Sequence, residues 1–157
     1  MKKLFVSLAL VVVASSSGCA ALRAARARDM SLETSVTGHT YKKPCASVWA
    51  AARNILFSNN YTVQSTDAVG GLTLETEWRS DGSGTGSSSR YMIQGAAPTP
   101  DSCQISATRA YRSQNGGASM SRDWKMEWDI LQQVDTAEAS RIATEADAAA
   151  ETARNQG

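Results

Sequence analysis

The chain has 157 residues, 42% hydrophobic and 20% charged, a composition that suits one globular domain and is too apolar for a disordered segment. Its 16 Lys and Arg stand against 15 Asp and Glu, a formal net charge of +1, so there is no basic footprint for nucleic acid. One histidine and three cysteines, none at metal-ligand spacing, leave no basis for a zinc site, and no cofactor is expected.

Met1-Lys2-Lys3 is a short cationic start, and Leu4 to Val13 is apolar except for Ser7. The small residues Ala14 to Gly18 follow, and Cys19 closes the segment, which is the layout of an export signal. Its apolar core is about ten residues, whereas a spanning helix needs roughly 20, so residues 1–18 read as a signal peptide removed on export. Residues 1–20 resemble the processing region of bacterial lipoproteins, in which the cysteine thiol carries diacylglycerol before cleavage. The resemblance implies lipidation of Cys19, a mature chain that begins there, and a membrane anchor of two or three acyl chains. Ala20 stands where the inner-membrane retention pattern has Asp, so the same resemblance implies the periplasmic face of an outer membrane. The alternative is ordinary cleavage within residues 14–21, which gives a soluble periplasmic or secreted protein.

Residues 19–32 place Arg23, Arg26 and Arg28 among alanines with little apolar patterning, and read as a tether, either near anionic headgroups or simply solvated. A single α+β domain is expected over 33–157. Ser31 to Tyr41 is β-prone and turn-prone, and Pro44 suits a first helical turn. From there Cys45, Val48, Trp49, Ala52, Ile55 and Leu56 recur as one buried helical face, ended by Asn59-Asn60. Tyr61, Val63 and Ser65, then Leu72, Leu74, Thr76 and Trp78, alternate with polar residues and predict two strands, joined as a hairpin through Asp67 to Gly71. Glu75 and Glu77 share the polar face and read as a solvated acidic surface rather than a catalytic carboxylate pair.

Residues 79–89, RSDGSGTGSSS, predict a mobile loop. Its glycines lack the Lys and the following helix of a phosphate cradle. Arg90 to Ala96 predicts a strand, Ala97 to Asp101 a turn, and Cys103, Ile105, Ala107, Arg109 and Tyr111 alternate along a longer strand. Cys45 faces inward at the start of a helix and Cys103 inward on the sheet. In an exported chain they form a candidate disulfide, which the chain-entropy model values at roughly 4 kcal/mol. Two buried free thiols are the alternative. After the break at Gln114 to Gly117, Ser121 is expected to cap a helix with Asp123 in its first turn, and Trp124, Trp128 and Leu131 line one face. Asp135-Thr136-Ala137-Glu138 reads as a capping box that interrupts this helix and restarts it toward Ile142 and an Ala-rich end.

The expected fold is therefore α+β, an antiparallel sheet of about four to five strands covered on one face by two helices. Within Tyr41 to Trp78, the Val48-Trp49 pair, the Tyr61-Thr62-Val63 strand, the Gly70-Gly71 turn and the run Leu72-Thr73-Leu74-Glu75-Thr76-Glu77-Trp78 resemble the helix-grip domains of envelope lipoproteins. That family includes the C-subunit lipoprotein of the β-barrel assembly machinery, and the closing helix Trp128 to Val134 is similar to it too. The resemblance implies a non-catalytic scaffold or assembly accessory that docks on an envelope protein partner. No Gly-x-Ser-x-Gly, HExxH or full Walker sequence occurs, His39 reads as a surface residue, and no enzyme is expected. A second reading is a periplasmic binding module for a lipid or envelope polymer, its helix–sheet cavity floored by Trp49, Trp78, Trp124 and Trp128, which otherwise belong to the core.

Overall fold

A computed structural model describes residues 2–65, 72–82 and 86–156, with side chains for all of these except 2–18 and 65. The side chains of residues 1–18, the turn expected over Asp67 to Gly71 and residues 83–85 of the Gly-rich loop lie outside the described residues. Helix α1 (Lys2–Val36) runs through the stretch expected to form a tether. Ala, Leu and Arg are strong helix formers, which accounts for the helix. It is followed by β1 (Thr40–Tyr41), α2 (Cys45–Ser58), β2 (Val63–Ser65), β3 (Leu72–Thr76), β4 (Arg79–Ser80), β5 (Ser88–Ala96), β6 (Cys103–Arg112), β7 (Ala118–Arg122), α3 (Trp124–Val134) and α4 (Thr136–Asn155).

Contacts divide the chain into two compact units, residues 1–34 with 140–157 and residues 35–139, where the sequence leads one to expect a single domain over 33–157. The first unit is helical. It buries Ala24 and Leu32 of α1 and Ile142, Ala146 and Ala150 of α4, the last three repeating every fourth residue along one face. The Arg28 guanidinium meets Asp147 at 2.7 Å.

The second unit holds an open antiparallel sheet of seven strands in the order β1-β6-β5-β3-β2, with β4 also paired to β5 and β7 to β6. Seven strands replace the four to five expected, because β4 and β7 are short pairings at the ends of the two long central strands. Gly116, at φ 83°, turns the chain after β6 so that Ala118–Arg122 folds back as β7, all five residues exposed. An edge strand with no buried side has no alternation to read. Ser121 therefore lies in a strand, opposite Arg109, and not at a helix cap. The cap is Asp123, whose Oδ1 accepts from the Met126 amide at 3.1 Å. At the next boundary the chain breaks where expected: Asp135 ends α3, and its Oδ1 accepts from the Glu138 amide at 3.1 Å to start α4.

Leu74, Ile93, Cys103, Ile105 and Ala107 of the sheet are buried, as are Val48, Ala52 and Leu56 of α2 and Ile130 and Leu131 of α3. Cys45 and Cys103 form a disulfide across 58 residues, Cα atoms 4.8 Å apart, which ties the first turn of α2 to the first residue of β6. Close to the disulfide, Gly95 makes room for Trp49: a Cβ there would stand 2.5 Å from the indole Cη2. The serines expected in a mobile loop are partly drawn in as well. Ser87, Ser88 and Ser89 are buried, and each hydroxyl is hydrogen-bonded, to Tyr111, Arg112 and Asp81 respectively. Polar side chains enter the fold where such partners replace water.

Candidate functional site

A cavity of about 290 Å³ opens at the end of the sheet beside the first turn of α3, lined by Asn59, Tyr61, Arg79, Tyr91, Arg109, Asp123, Lys125, Met126 and Asp129. Two hollows of similar size in the same unit carry one charged residue each, Lys43 and Arg122, whereas this one gathers three cations and two carboxylates. Convergent polar groups in a concave site are the ordinary mark of recognition.

Local structure places each group. Asn60, at φ 59°, reverses the chain after α2, a left-handed conformation that asparagine tolerates, and delivers Tyr61 to the sheet. Tyr61 and Tyr91 meet edge to face with ring centres 5.0 Å apart. The Arg79 guanidinium lies 4.2 Å over the Tyr61 ring and that of Arg109 5.9 Å from the Tyr91 ring, so each tyrosine backs one cation. Arg79 also donates from Nη1 to the Asn59 carbonyl. The register sets Tyr91 directly opposite Arg109 on β5 and β6.

Ser89 ties the inner end of the site together. Its hydroxyl donates to Asp81 Oδ1 at 2.9 Å, which leaves its oxygen to accept from the Tyr61 hydroxyl at 2.9 Å and from Arg109 Nη2 at 3.1 Å. Asp81 meets Arg109 at 3.6 Å. The Tyr91 hydroxyl donates to Asp123 Oδ2 at 2.7 Å, so Asp123 caps α3 with one oxygen and holds Tyr91 with the other. Burial, then this hydrogen bond, pushes the Tyr91 phenol far above its usual range, and Tyr91 is a donor rather than a base. Burial, then the neighbouring Asp123 charge, raises the Asp129 carboxyl.

Two polar atoms stand out. Among the described residues, the buried side-chain nitrogens and oxygens without a hydrogen-bond partner are Arg79 Nε and Arg109 Nε, and both arginines line this cavity. A buried donor left open costs about 1–3 kcal/mol, and more when charged. Within the cavity the Tyr91 phenol is held protonated and the guanidinium groups are cations, an arrangement suited to holding and orienting charge.

The residues expected to matter from the sequence lie elsewhere. Cys19 is free and exposed on α1. No tryptophan lines the cavity, and all four are half-buried. Trp78 falls beyond the end of β3, which breaks the alternation that would turn it inward, and carries Arg112 and Arg90 at 4.3 and 5.1 Å from its ring. Glu75 faces Arg90 at 3.9 Å, while Glu77 accepts from Gln64, so they do not act as a pair. His39 packs edge to face on Tyr41. Among the described residues no three His, Cys, Asp or Glu side chains converge as a metal site, and no helix is long and apolar enough to cross a membrane.

The cavity residues escaped sequence reasoning because they are scattered from Asn59 to Asp129 without a motif. One signal was present: Arg109 continues the inward register of Cys103, Ile105 and Ala107, and a charge at a core position calls for a partner. In comparison with known proteins, no family profile matches the chain and no curated protein matches it.

Proposed function

We propose that the chain is an exported lipoprotein of the bacterial envelope, held at the periplasmic face of an outer membrane by acyl groups on Cys19, where residues 35–139 act as a non-catalytic scaffold or assembly accessory. The observation that carries this reading is the division among the cysteines. Cys45 and Cys103 are joined, as suits an oxidising compartment, while Cys19 stands exposed and unpaired directly behind a signal-type segment. Contacts of α2 and α3 with β6 support the helix-grip likeness, in which helices cover one sheet face. The outward side of the sheet, with the Trp78, Arg90 and Arg112 stack and the exposed Met120, offers a surface for an envelope protein partner.

Intact-mass analysis of the membrane fraction of a Gram-negative host tests the address. A chain that begins at Cys19 and carries acyl groups is expected, and Cys19→Ala should abolish both the acylation and the membrane association. An unmodified chain that partitions identically with and without Cys19 would overturn it. Photo-crosslinking from position 120 then tests the scaffold role: a discrete adduct that depends on Cys19 supports it, and none in the anchored protein counts against it.

The cavity favours a second reading at the same address, a binding module. Its charged lining suits a polar ligand rather than a lipid chain.

A further inference from the structure

We infer that the cavity between Arg79 and Arg109 binds the oxyanion group, carboxylate or phosphate, of a small ligand. The inference rests on the binding-module reading of this site and is independent of lipidation at Cys19.

Both unsatisfied buried side-chain atoms of the described structure are guanidinium Nε atoms, and both arginines line one cavity. A buried donor in a folded protein normally has a hydrogen-bond partner. These two are anchored at a single Nη each, Arg79 on the Asn59 carbonyl and Arg109 on the Ser89 hydroxyl, and are backed by tyrosine rings. Each guanidinium thus keeps an unpartnered Nε–H in a residue that lines the cavity, and the ligand groups whose oxygens accept from guanidinium N–H donors are carboxylates and phosphates.

The surrounding charges leave room for an anion. Asp123 is already occupied by the Tyr91 hydroxyl and the Met126 amide, and Asp81 by Ser89 and Arg109. Lys125 adds a third cation to the lining. Asp129 is the remaining carboxylate, and burial beside Asp123 already eases its protonation. Size sets the other bound: about 290 Å³ lies at the bottom of the usual range for ligand pockets, so the ligand is compact.

The test is a titration of the full chain, purified in a neutral detergent and uniformly isotope-labelled, followed by the arginine Nε–Hε resonances and, for the tyrosines, by their ring resonances. Inorganic phosphate and acetate are added separately at constant ionic strength, with chloride as the balancing ion, and neutral N-acetylglucosamine serves as a third probe. The Arg79 and Arg109 resonances, assigned by Arg79→Lys and Arg109→Lys, are expected to move together and saturably with at least one anion while those of Arg90 and Arg112 stay put. A response to phosphate alone assigns a phosphate ester, and a response to acetate a carboxylate. Either lysine variant that retains the wild-type backbone spectrum should weaken binding at least about tenfold, because the ammonium cannot reproduce the fork. If a variant does not fold, the wild-type titration decides. Equal movement of all four arginines, which is charge screening, or no movement with either anion would overturn the inference. In that case a saturable response of the tyrosine resonances to the sugar would preserve the binding-module reading, and silence toward all three probes would remove both.

Discussion

Arg122 closes on the Glu127 carboxylate from two directions, Nε to Oε1 at 2.8 Å and Nη2 to Oε2 at 2.9 Å, although Glu127 is only 1% exposed. The same Oε1 accepts the Ala107 amide at 2.8 Å, so one carboxylate binds α3 to β6 and to the end of β7. Removing Arg122 strands a buried charge. Breaking such a pair from one side costs about 3–5 kcal/mol, and the 38% exposure of the Arg122 side chain puts Arg122→Leu near the lower bound. Urea unfolding measures it. Glu127→Gln should cost less, since Arg122 can turn to water, and an equal or larger loss would contradict this account.

Gly95 and Trp49 form a tight contact. Gly95→Ala puts a methyl group into the indole, where overpacking costs about 1–3 kcal/mol. Trp49→Leu in the same chain should recover part of that cost. A double-mutant cycle reads the coupling, and strictly additive losses would show that the strand, rather than the indole, resists the methyl group.

The disulfide spans 58 residues and joins α2 to β6 at their first residues. In a Cys19→Ala background, which prevents thiol exchange, replacing Cys45 and Cys103 by Ala should cost about 2–5 kcal/mol. Thermal melts of that variant should then be insensitive to reductant, whereas the disulfide-bonded chain should melt lower once reduced.

Tyr41 and Tyr91 are both held protonated, Tyr41 first by burial and then by the Glu127 charge, Tyr91 first by burial and then by Asp123. In the unfolded chain both release a proton near the ordinary value of 10.0. Above that pH the folded state therefore keeps more protons than the unfolded state, and stability falls as pH rises further. Phenolate absorbance should accordingly show these two tyrosines ionising only with unfolding, together with a loss of melting temperature that begins above about pH 10. Early titration of all four tyrosines would contradict the burial described. Tyr91→Phe should relieve part of the alkaline loss and cost about 1 kcal/mol at neutral pH from the missing bond to Asp123.

How far the sequence reveals this fold differs by element. Helix α2 is legible because Val48, Ala52 and Leu56 are large or regularly spaced, and the break at Asp135 because a carboxylate that caps a helix works through neighbours in sequence. Residues 20–36 conceal their helix. Their buried positions include Ala24, and a face packed through alanine has almost no hydrophobic contrast. β7 is hidden for the opposite reason, being exposed throughout. The cavity depends on pairings between distant strands, such as Tyr91 with Arg109, which no local pattern encodes.

Among the described residues, the outermost strands of the sheet path, β1 and β2, contain two and three residues. An exposed strand edge recruits other chains by offering a row of open amides and carbonyls, and rows this short template poorly. The five-residue β7 ends instead in Arg122, a charge unfavourable to stacking. A protein of this design should tolerate crowding without nucleating fibrils, and lengthening β1 with apolar residues would be the direct way to remove that protection.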